Sequence, residues 1–387
     1  MAKPRTNTTA QLTMEVSHEN DVGIDPHRKT LTATVLDGRG GTVATASFKV
    51  SGVGHRALLE WATGFGPVRC WGIESASGLG RHTAMFLIEQ GHDVRDVCPT
   101  RTAEQSRKRR QGKTDALDSL RIAREVQADP DLPVAFKRAP GDVGPDETHE
   151  LLHLWHNQRR SLLKSRQHLL NEVDALLHDL PEEIRAGLPD DRSIRPRLSA
   201  LSERDRTVTW DPVTALRLRL LDDHAAAIAE FDARERAASR ELHHLTRRAG
   251  SSLGELCGIA DRSDAELLVE AGDPRRFAGE GGFARFNGTA PLPASSAEGD
   301  DEPNRHRLNR GGNRRVNSVL HLMAVTQLRC EPRAQQIYSD ARRRGHTKKE
   351  AMRILKRHLS NVVYRRMIRD LNARLSSPPA DTRQAAA

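Results

Sequence analysis

The stretch VGIDPHRKTLTATVLDGRGGTVATASF, residues 22–48, decides the fold of the N-terminal part of the chain. Its β-branched and apolar residues predict a strand that carries Asp25, followed by a hairpin whose turn is the glycine-rich GRGG. Further along, VRCWGIESASG at residues 68–78 predicts a buried strand that ends at Glu74. We therefore expect two strands of this region to place a carboxylate near their ends.

Strands and helices alternate from residue 20 to about residue 125. After the opening strands, the pattern predicts two helices, at about 55–63 and 81–90, then a strand at 93–98 and a helix at 112–126. Three leading strands followed by this alternation are typical of a ribonuclease H-like mixed sheet. We expect an α/β N-terminal domain followed by a mostly helical remainder.

The predicted helix at 112–126 begins with two aspartates. Thr114 is the expected N-cap, and Asp115 and Asp118 fall in the first turn on one face. Carboxylates that share a face repel each other unless a cation lies between them, and a pair of divalent cations about 3.5–4 Å apart can clamp a phosphodiester. Any one such aspartate would also suit a plain helix start or turn. Together with Asp25 and Glu74, the set favours a metal-dependent nuclease site.

Positive charge is clustered in this chain, whose net charge is +9. Basic runs cover residues 107–113, 305–315 and 342–358, which indicates a nucleic-acid partner, although a solvated charged surface is the alternative. Aromatic residues make up only 4%, so we expect contacts to the phosphate backbone and little base stacking. The candidate nucleic-acid-binding residues are Arg107, Lys108, Arg109, Arg110, Lys113, Arg305, Arg307, Arg310, Arg314, Arg315, Lys348 and Lys349.

Composition also divides the chain into predicted domains. The expected segments are a disordered tail at 1–19, a nuclease domain at 20–147 with a Pro/Gly-rich linker from about 128, a helical region at 148–250, a mostly helical C-terminal domain at 251–372 and a disordered tail at 373–387.

Two long helices are predicted in the 148–250 region. The first has apolar residues three and four apart, which we expect to form one packing stripe; they are Leu151, Leu154, Leu162, Leu169, Val173 and Leu176. The second covers about 212–248. The pair would form an antiparallel hairpin or coiled coil, serving either as an oligomerisation arm or as core packing within one subunit.

Residues 256–277, LCGIADRSDAELLVEAGDPRRF, predict a helix, a short loop and a second helix, similar to a helix-hairpin-helix that grips phosphates. The four cysteines, at positions 70, 98, 257 and 330, are far apart in sequence and form no C-x-x-C. They predict small buried residues in a reducing compartment. No apolar stretch is long enough to span a bilayer and the N-terminus has no signal peptide, so we expect a cytoplasmic, nucleoid-associated protein without membrane contact.

Several of these motifs together resemble a known family. The chain is similar to the DEDD-type insertion-sequence transposases, also called bridge recombinases, over about residues 21–368. The matching stretches are VGIDPHRKT, GIESASGLG, QGKTDALDSLRIAR, LVEAGDPRRF, FNGTAPLPASS, RGGNRRVNSVL and GHTKKEAMRILKRHL. The basic run followed by GKTDALD is the most specific of them.

The resemblance implies a RuvC-like domain joined to a C-terminal serine-bearing transposase domain. It implies that Asp25, Glu74, Asp115 and Asp118 bind Mg²⁺ or Mn²⁺ and act in catalysis. Counting from the family's G-x-x-P motif places the nucleophile at Ser296, with Ser295 as the runner-up. A structured guide RNA would pair with both donor and target DNA, and the protein would act as a dimer that assembles into a tetramer.

Two alternatives stay open at this point. One is a RuvC-like, metal-dependent endonuclease that uses water as its nucleophile and forms no covalent intermediate. The other is a non-catalytic nucleic-acid-binding relic of a transposase. The complete set of four carboxylates argues against the relic, whereas a protein–DNA adduct would exclude the hydrolytic enzyme.

Overall fold

The structure is a computed structural model that describes residues 19–99, 114–136, 147–190, 193–293, 306–307, 309 and 311–376. Some predictions fall on other residues and lie outside the described part. They concern the predicted tail before residue 19, most of the last predicted tail, Arg107, Lys108, Arg109, Arg110, Lys113, Ser295, Ser296, Arg305 and Arg310.

The chain divides into two compact units, each built from two stretches of sequence. The first unit contains Met1–Ala139 and Asp273–Asn317, and the second contains Pro140–Gly272 and Ser318–Ala387. The flanks of the predicted serine segment therefore belong to the same unit as the four carboxylates.

Seven strands are found among the described residues: β1 Asn20–Pro26, β2 Thr30–Leu36, β3 Thr42–Lys49, β4 Val68–Glu74, β5 Val94–Val97, β6 Leu292–Pro293 and β7 His306–Arg307. The helices in the described part are α1 Gly52–Thr63, α2 Arg81–Glu89, α3 Asp115–Ala128, α4 Glu147–His178, α5 Glu182–Arg185, α6 Ile194–Ser202, α7 Pro212–Arg248, α8 Asp261–Ala271, α9 Gly279–Phe286, α10 Arg314–Cys330, α11 Pro332–Arg343 and α12 Lys348–Ser376. The α/β class with a mostly helical remainder is thus confirmed.

The first unit is built on a five-stranded mixed sheet of order β3-β2-β1-β4-β5. The first three strands pair antiparallel, whereas β4 and β5 run parallel to β1. The hairpin turn falls at the predicted GRGG, where the Asp37 N–H donates to the Gly41 carbonyl at 2.9 Å. Gly40 has φ +83°, a conformation that costs glycine least.

Both faces of this sheet are covered, which explains why its central strands are almost continuously apolar. Val22, Ile24 and Trp71 belong to a core that also contains Leu58 of α1 and Leu87 of α2. A second buried cluster contains residues of β4, β5 and α3 and covers the other face; it consists of Cys70, Val97, Ile122, Val126 and Leu132.

Part of the predicted Pro/Gly-rich linker is packed in this unit. Leu132 and Ala135 are each only 3% exposed, and Val134 forms an antiparallel bridge with Arg95 of β5. The β5 edge of the sheet is therefore partly covered, and residues 132–136 are not a free connection. The prolines at 130 and 133 had suggested a free linker. Local composition does not show whether a segment packs against the edge of a sheet.

In the second unit, α4 and α7 pack along each other. Leu152 near the start of α4 clusters with Leu242 near the end of α7, and Val173 near the end of α4 clusters with Leu218 near the start of α7. The two helices are therefore antiparallel, as predicted. One member of the predicted stripe was wrong, since Leu154 is 63% exposed and Leu152 is buried instead.

Two further predictions about this unit were wrong. In the predicted helix-loop-helix at 256–277, residues 256–260 form no helix, and the 3-10 turn Leu253–Glu255 lies before the segment. Cys257 and Cys330 are exposed rather than buried, and their Sγ atoms lie 3.1 Å apart although 73 residues separate them. None of the described helices combines the length and apolarity needed to cross a membrane.

Candidate metal centre

The register of the two central parallel strands places two of the predicted carboxylates side by side. Ile24 of β1 pairs with Ile73 of β4. Asp25 and Glu74 are the next residues of these two strands, so they lie side by side at the same end of the sheet. Because side chains alternate along a strand, both point to the opposite face from Ile24 and Ile73. That face is the one covered by α3.

Two glycines allow α3 to approach this face closely. Gly23 and Gly72 are partners in the sheet. A Cβ atom at Gly23 would lie 2.2 Å from the backbone nitrogen of Ala123, and one at Gly72 would lie 2.1 Å from a methyl of Val126. A side chain at Gly23 would therefore push the backbone of the helix away from the sheet, and one at Gly72 would force the Val126 side chain to move.

The first turn of α3 carries the other two predicted carboxylates. Thr114 has extended backbone dihedrals, and its hydroxyl accepts a hydrogen bond from the Leu117 N–H at 3.3 Å. The predicted N-cap is thus confirmed. Asp115 is half-exposed, whereas Asp118 is more buried and accepts a hydrogen bond from the buried Arg121 guanidinium at 2.6 Å.

Of the four predicted carboxylates, Asp25 and Asp115 have oxygens close enough together to share one cation, whereas Glu74 and Asp118 are near enough to Asp25 to act on its pKa. Asp25 is buried, with only 6% of its surface exposed. Burial raises the pKa of Asp25 to about 6; the neighbouring charge of His27 opposes this, and those of Glu74, Asp118 and Asp115 add to it. Arg121 offsets the charge of Asp118, and a cation held between Asp25 and Asp115 would offset theirs.

A histidine that the sequence analysis did not single out belongs to the same cluster. His27 Nε2 lies 3.4 Å from an Asp25 oxygen and 3.2 Å from an Asp115 oxygen. The donor atoms of these three residues all lie within 4.8 Å of one another, the spacing of ligands around one cation. Carboxylate oxygens and an imidazole nitrogen fit a divalent metal ion.

The loop that follows Glu74 is held rigidly. Ser75 has φ +53°, a costly conformation for a residue with a side chain. Its N–H donates to the Val97 carbonyl at 3.2 Å, and the next N–H, of Ala76, donates to Asp96 at 3.0 Å. Asp96 in turn pairs with the buried Arg276 at 3.2 Å. These contacts fix the backbone beside the Glu74 carboxylate.

The predicted basic residues that can be described lie on three elements, β7, α10 and α12. Arg314 and Arg315 are exposed in the first turn of α10, whose capping residue Asn313 accepts hydrogen bonds from the Arg315 and Val316 N–H groups at 3.0 and 3.1 Å. Arg307 is in the short strand β7. A cation in a first turn opposes the helix dipole, so these arginines are not explained by helix stability.

Lys348 and Lys349 are exposed in the first turn of α12. This helix begins with a capping box, in which the Thr347 N–H donates to the Glu350 carboxylate at 2.7 Å and the Glu350 N–H donates to the Thr347 hydroxyl at 3.3 Å. Two lysines at this end again oppose the helix dipole and leave a locally positive surface.

Three contributors to the centre were missed by the sequence analysis. His27 lies two residues after Asp25, so the alternation of the strand could have placed it on the same side. Arg121 lies three residues after Asp118, the spacing of neighbours on one helix face. The role of Asp96 could not have been found, because its partner Arg276 is 180 residues away.

Two family models match the sequence of the chain. Residues 22–180 match a DEDD-type IS110 model described as "Transposase", and residues 251–339 match one described as "Transposase IS116/IS110/IS902 family". The chain therefore belongs to the IS110 family of DEDD transposases. Membership in this family implies a divalent metal, which agrees with the ligand types found at the centre.

A curated relative supports the assignment. The "Insertion element IS110 uncharacterized 43.6 kDa protein" of Streptomyces coelicolor is 31% identical over 137 residues. The match covers 35% of this chain and 32% of the relative, so the chain matches about a third of that protein's length.

Proposed function

We propose that this protein is a DNA transposase that cuts and rejoins DNA strands at the centre formed by Asp25, Glu74, Asp115 and Asp118. The observation that carries the proposal is their convergence: two carboxylates at adjacent parallel strand ends face two in the first turn of α3. The strand order β3-β2-β1-β4-β5, with three antiparallel strands before two parallel ones, also supports a RuvC-like domain.

Each residue of the centre would have its own role. A divalent cation held there would polarise the scissile phosphate and stabilise charge on the leaving oxygen. Asp25 is the buried ligand that fixes the position of the site, and half-exposed Asp115 faces the side open to DNA. Arg121 holds the Asp118 carboxylate in place, which limits its rotamers before substrate arrives.

The proposed nucleophile is Ser296, with Ser295 as the runner-up. Its Oγ would bond to phosphorus, one phosphodiester P–O bond would break, and the released sugar oxygen would take up a proton. The phosphoserine conserves the energy of the bond for rejoining. The Ser296 hydroxyl needs activation, because serine is a weak nucleophile at its ordinary pKa.

We further propose that donor and target DNA are the substrates and that a structured non-coding RNA guides the choice of site. The exposed basic residues at the starts of α10 and α12, together with the scarcity of aromatic residues, support binding through phosphates. Oligomerisation, as a dimer that assembles into a tetramer, is part of this proposal, as are Mg²⁺ or Mn²⁺ as the metal and a cytoplasmic, nucleoid-associated location.

Carboxylate variants test the centre. We expect Asp25→Asn, Glu74→Gln, Asp115→Asn and Asp118→Asn each to lower DNA cleavage in Mg²⁺ by at least about 100-fold, because each removes a ligand. Binding to DNA should change little, because none of the four substitutions removes a basic residue. Glu60→Gln, an exposed carboxylate on α1, is the matched control and should cleave normally.

The measurement is cleavage of labelled DNA by purified full-length protein, with and without EDTA, beside a binding titration. Full cleavage in EDTA, or in two of the four variants, would contradict the proposal. Loss of activity in the Glu60→Gln control would show that the assay reports general damage to the fold.

A further inference from the structure

His27 has a position that the four-carboxylate scheme does not explain. It follows directly after β1, in the tight connection to β2, where its N–H donates to the Thr30 carbonyl at 2.8 Å. This backbone contact fixes where the side chain starts. The imidazole then reaches back across the end of the sheet towards Asp25 and Asp115.

The Nε2 atom of His27 is shielded from solvent and makes no hydrogen bond within the described part of the chain. It nevertheless lies 3.4 Å from an Asp25 oxygen and 3.2 Å from an Asp115 oxygen, without the angles a hydrogen bond needs. A buried nitrogen between two carboxylates but not bonded to either is well placed to share a cation with them.

The chemistry of the donor atoms indicates which cation would bind more tightly when His27 is a ligand. Oxygen-only sites suit Mg²⁺, whereas an imidazole nitrogen is a better ligand for first-row transition-metal ions than for Mg²⁺. Of the two ions named in the proposed function, Mn²⁺ is the transition-metal ion and is the one that a nitrogen ligand would favour. The side chain of His27 as a whole is 43% exposed, so the group lies near the surface of the protein and not in its core.

Resting on the proposed function, we propose that His27 is a nitrogen ligand of the metal centre, beside Asp25 and Asp115, and that it gives the centre a preference for Mn²⁺ over Mg²⁺. Binding through Nε2 requires the ring to carry its proton on Nδ1. The four carboxylates then set the charge of the site, and His27 sets its selectivity.

The test measures binding of the metal alone to purified full-length protein, without nucleic acid. Mn²⁺ is titrated and followed by electron paramagnetic resonance and calorimetry, and Mg²⁺ is tested as a competitor. We expect His27→Ala to weaken Mn²⁺ binding roughly tenfold or more, with Mg²⁺ binding changed by less than about threefold. His82→Ala, an exposed histidine on α2, is the matched control and should bind both ions as the unaltered protein does.

A spectroscopic readout makes the assignment direct. Pulsed electron paramagnetic resonance of bound Mn²⁺ should show coupling to an imidazole nitrogen in the unaltered protein and in His82→Ala, and none in His27→Ala. Thermal unfolding without metal checks that the His27 variant is folded. Nitrogen coupling that persists in His27→Ala would overturn the proposal, as would equal weakening of both ions, which would make His27 a residue that only positions the carboxylates.

A further variant separates this proposal from the proposed function. Asp25→Asn should abolish binding of both ions if the carboxylate centre exists. If Asp25→Asn binds no metal while His27→Ala binds both ions normally, the centre stands and the role of His27 is refuted. If Asp25→Asn binds both ions normally, the proposed metal centre itself fails.

Discussion

At the scale of single residues, Asp264 shows what burying a carboxylate costs outside the metal centre. It lies in the first turn of α8, is 4% exposed, and accepts a hydrogen bond from the Ser251 hydroxyl at 2.7 Å. Burial raises the pKa of Asp264 to about 6, and the hydrogen bonds from Ser251 and the Gly254 backbone reduce the shift only in part. The charged form is therefore destabilised in the folded protein.

The sign of the effect on stability follows from this shift. The pKa of Asp264 rises from its ordinary 3.8 to about 6 on folding, so the folded protein loses stability as the pH rises through that window and the lost stability does not return above it. Asp264→Asn removes the charge at every pH. The stability of Asp264→Asn relative to the unaltered protein should thus increase by about 1–2 kcal/mol between pH 5 and pH 7.5.

Urea unfolding of both proteins at the two pH values measures this difference. Any hydrogen bond lost through the amide contributes equally at both pH values and cancels. Glu241 is an exposed carboxylate on α7. The free energy of unfolding of Glu241→Gln should differ from that of the unaltered protein by the same amount at both pH values. A pH-independent difference for Asp264→Asn would contradict the assigned shift.

At the scale of elements, the packing of α3 on the sheet links the fold to the metal centre. The helix lies close to the sheet because Gly23 and Gly72 have no side chains, and a hydrogen bond of 2.8 Å joins the hydroxyls of Thr34 and Ser119 between them. The first turn of α3 supplies Asp115 and Asp118. A change in this packing should therefore act on stability and metal binding together.

Gly23→Ala tests this link. The new methyl would overlap the backbone of α3 at Ala123, which cannot move aside as a side chain can, so we expect a loss of about 3 kcal/mol or more. Metal affinity should fall as well. The matched control is Gly281→Ala in α9, where a Cβ would meet nothing within 4 Å and stability should change by less than about 1 kcal/mol.

Thermal unfolding and Mn²⁺ titration of both variants give the two readouts. Equal, small effects of the two substitutions would show that α3 tolerates a wider separation from the sheet. A stable Gly23→Ala protein with normal metal affinity would refute the role assigned to the two glycines.

The elements that the sequence predicted well are those with local signals. Thr114 as a cap, the GRGG turn and the strand that ends at Glu74 each depend on a few adjacent residues. The errors concern contacts between distant segments, such as the packing of residues 132–136 on β5 and the approach of Cys257 to Cys330. No local sequence pattern predicts these contacts. In the site, likewise, neither the nitrogen of His27 nor the anchor at Asp96 was found.

At the scale of the whole molecule, charge is the property that most concerns function. The net charge of +9 includes arginines and lysines at the starts of α10 and α12, where the helix dipole disfavours cations. Clusters of this kind are consistent with a polyanion partner bound mainly through its phosphates. Such binding releases counterions and must weaken in salt.

If about six phosphates are neutralised, the logarithm of the binding constant should fall with the logarithm of salt concentration at a slope near −5 on duplex DNA. The charge reversal Arg314→Glu with Arg315→Glu should weaken binding and flatten the slope, with little change in sequence preference. Fluorescence titrations at several salt concentrations measure both effects. A flat titration of the unaltered protein would mean that the basic runs are only solvated surfaces.

The central claim is that DNA strands are cut by a serine of this chain, acting with the carboxylate centre, and the most direct measurement of it is a covalent adduct. Full-length protein, the proposed guide RNA, DNA and Mg²⁺ are incubated and denatured, and DNA-linked protein is identified by gel and mass spectrometry. We predict an adduct on Ser296 that is absent in Ser296→Ala and in Asp25→Asn, and retained in Ser295→Ala and Glu60→Gln. An adduct on Ser295 would move the nucleophile by one residue, whereas cleavage that proceeds with no adduct on any serine would contradict the account and identify a hydrolytic endonuclease.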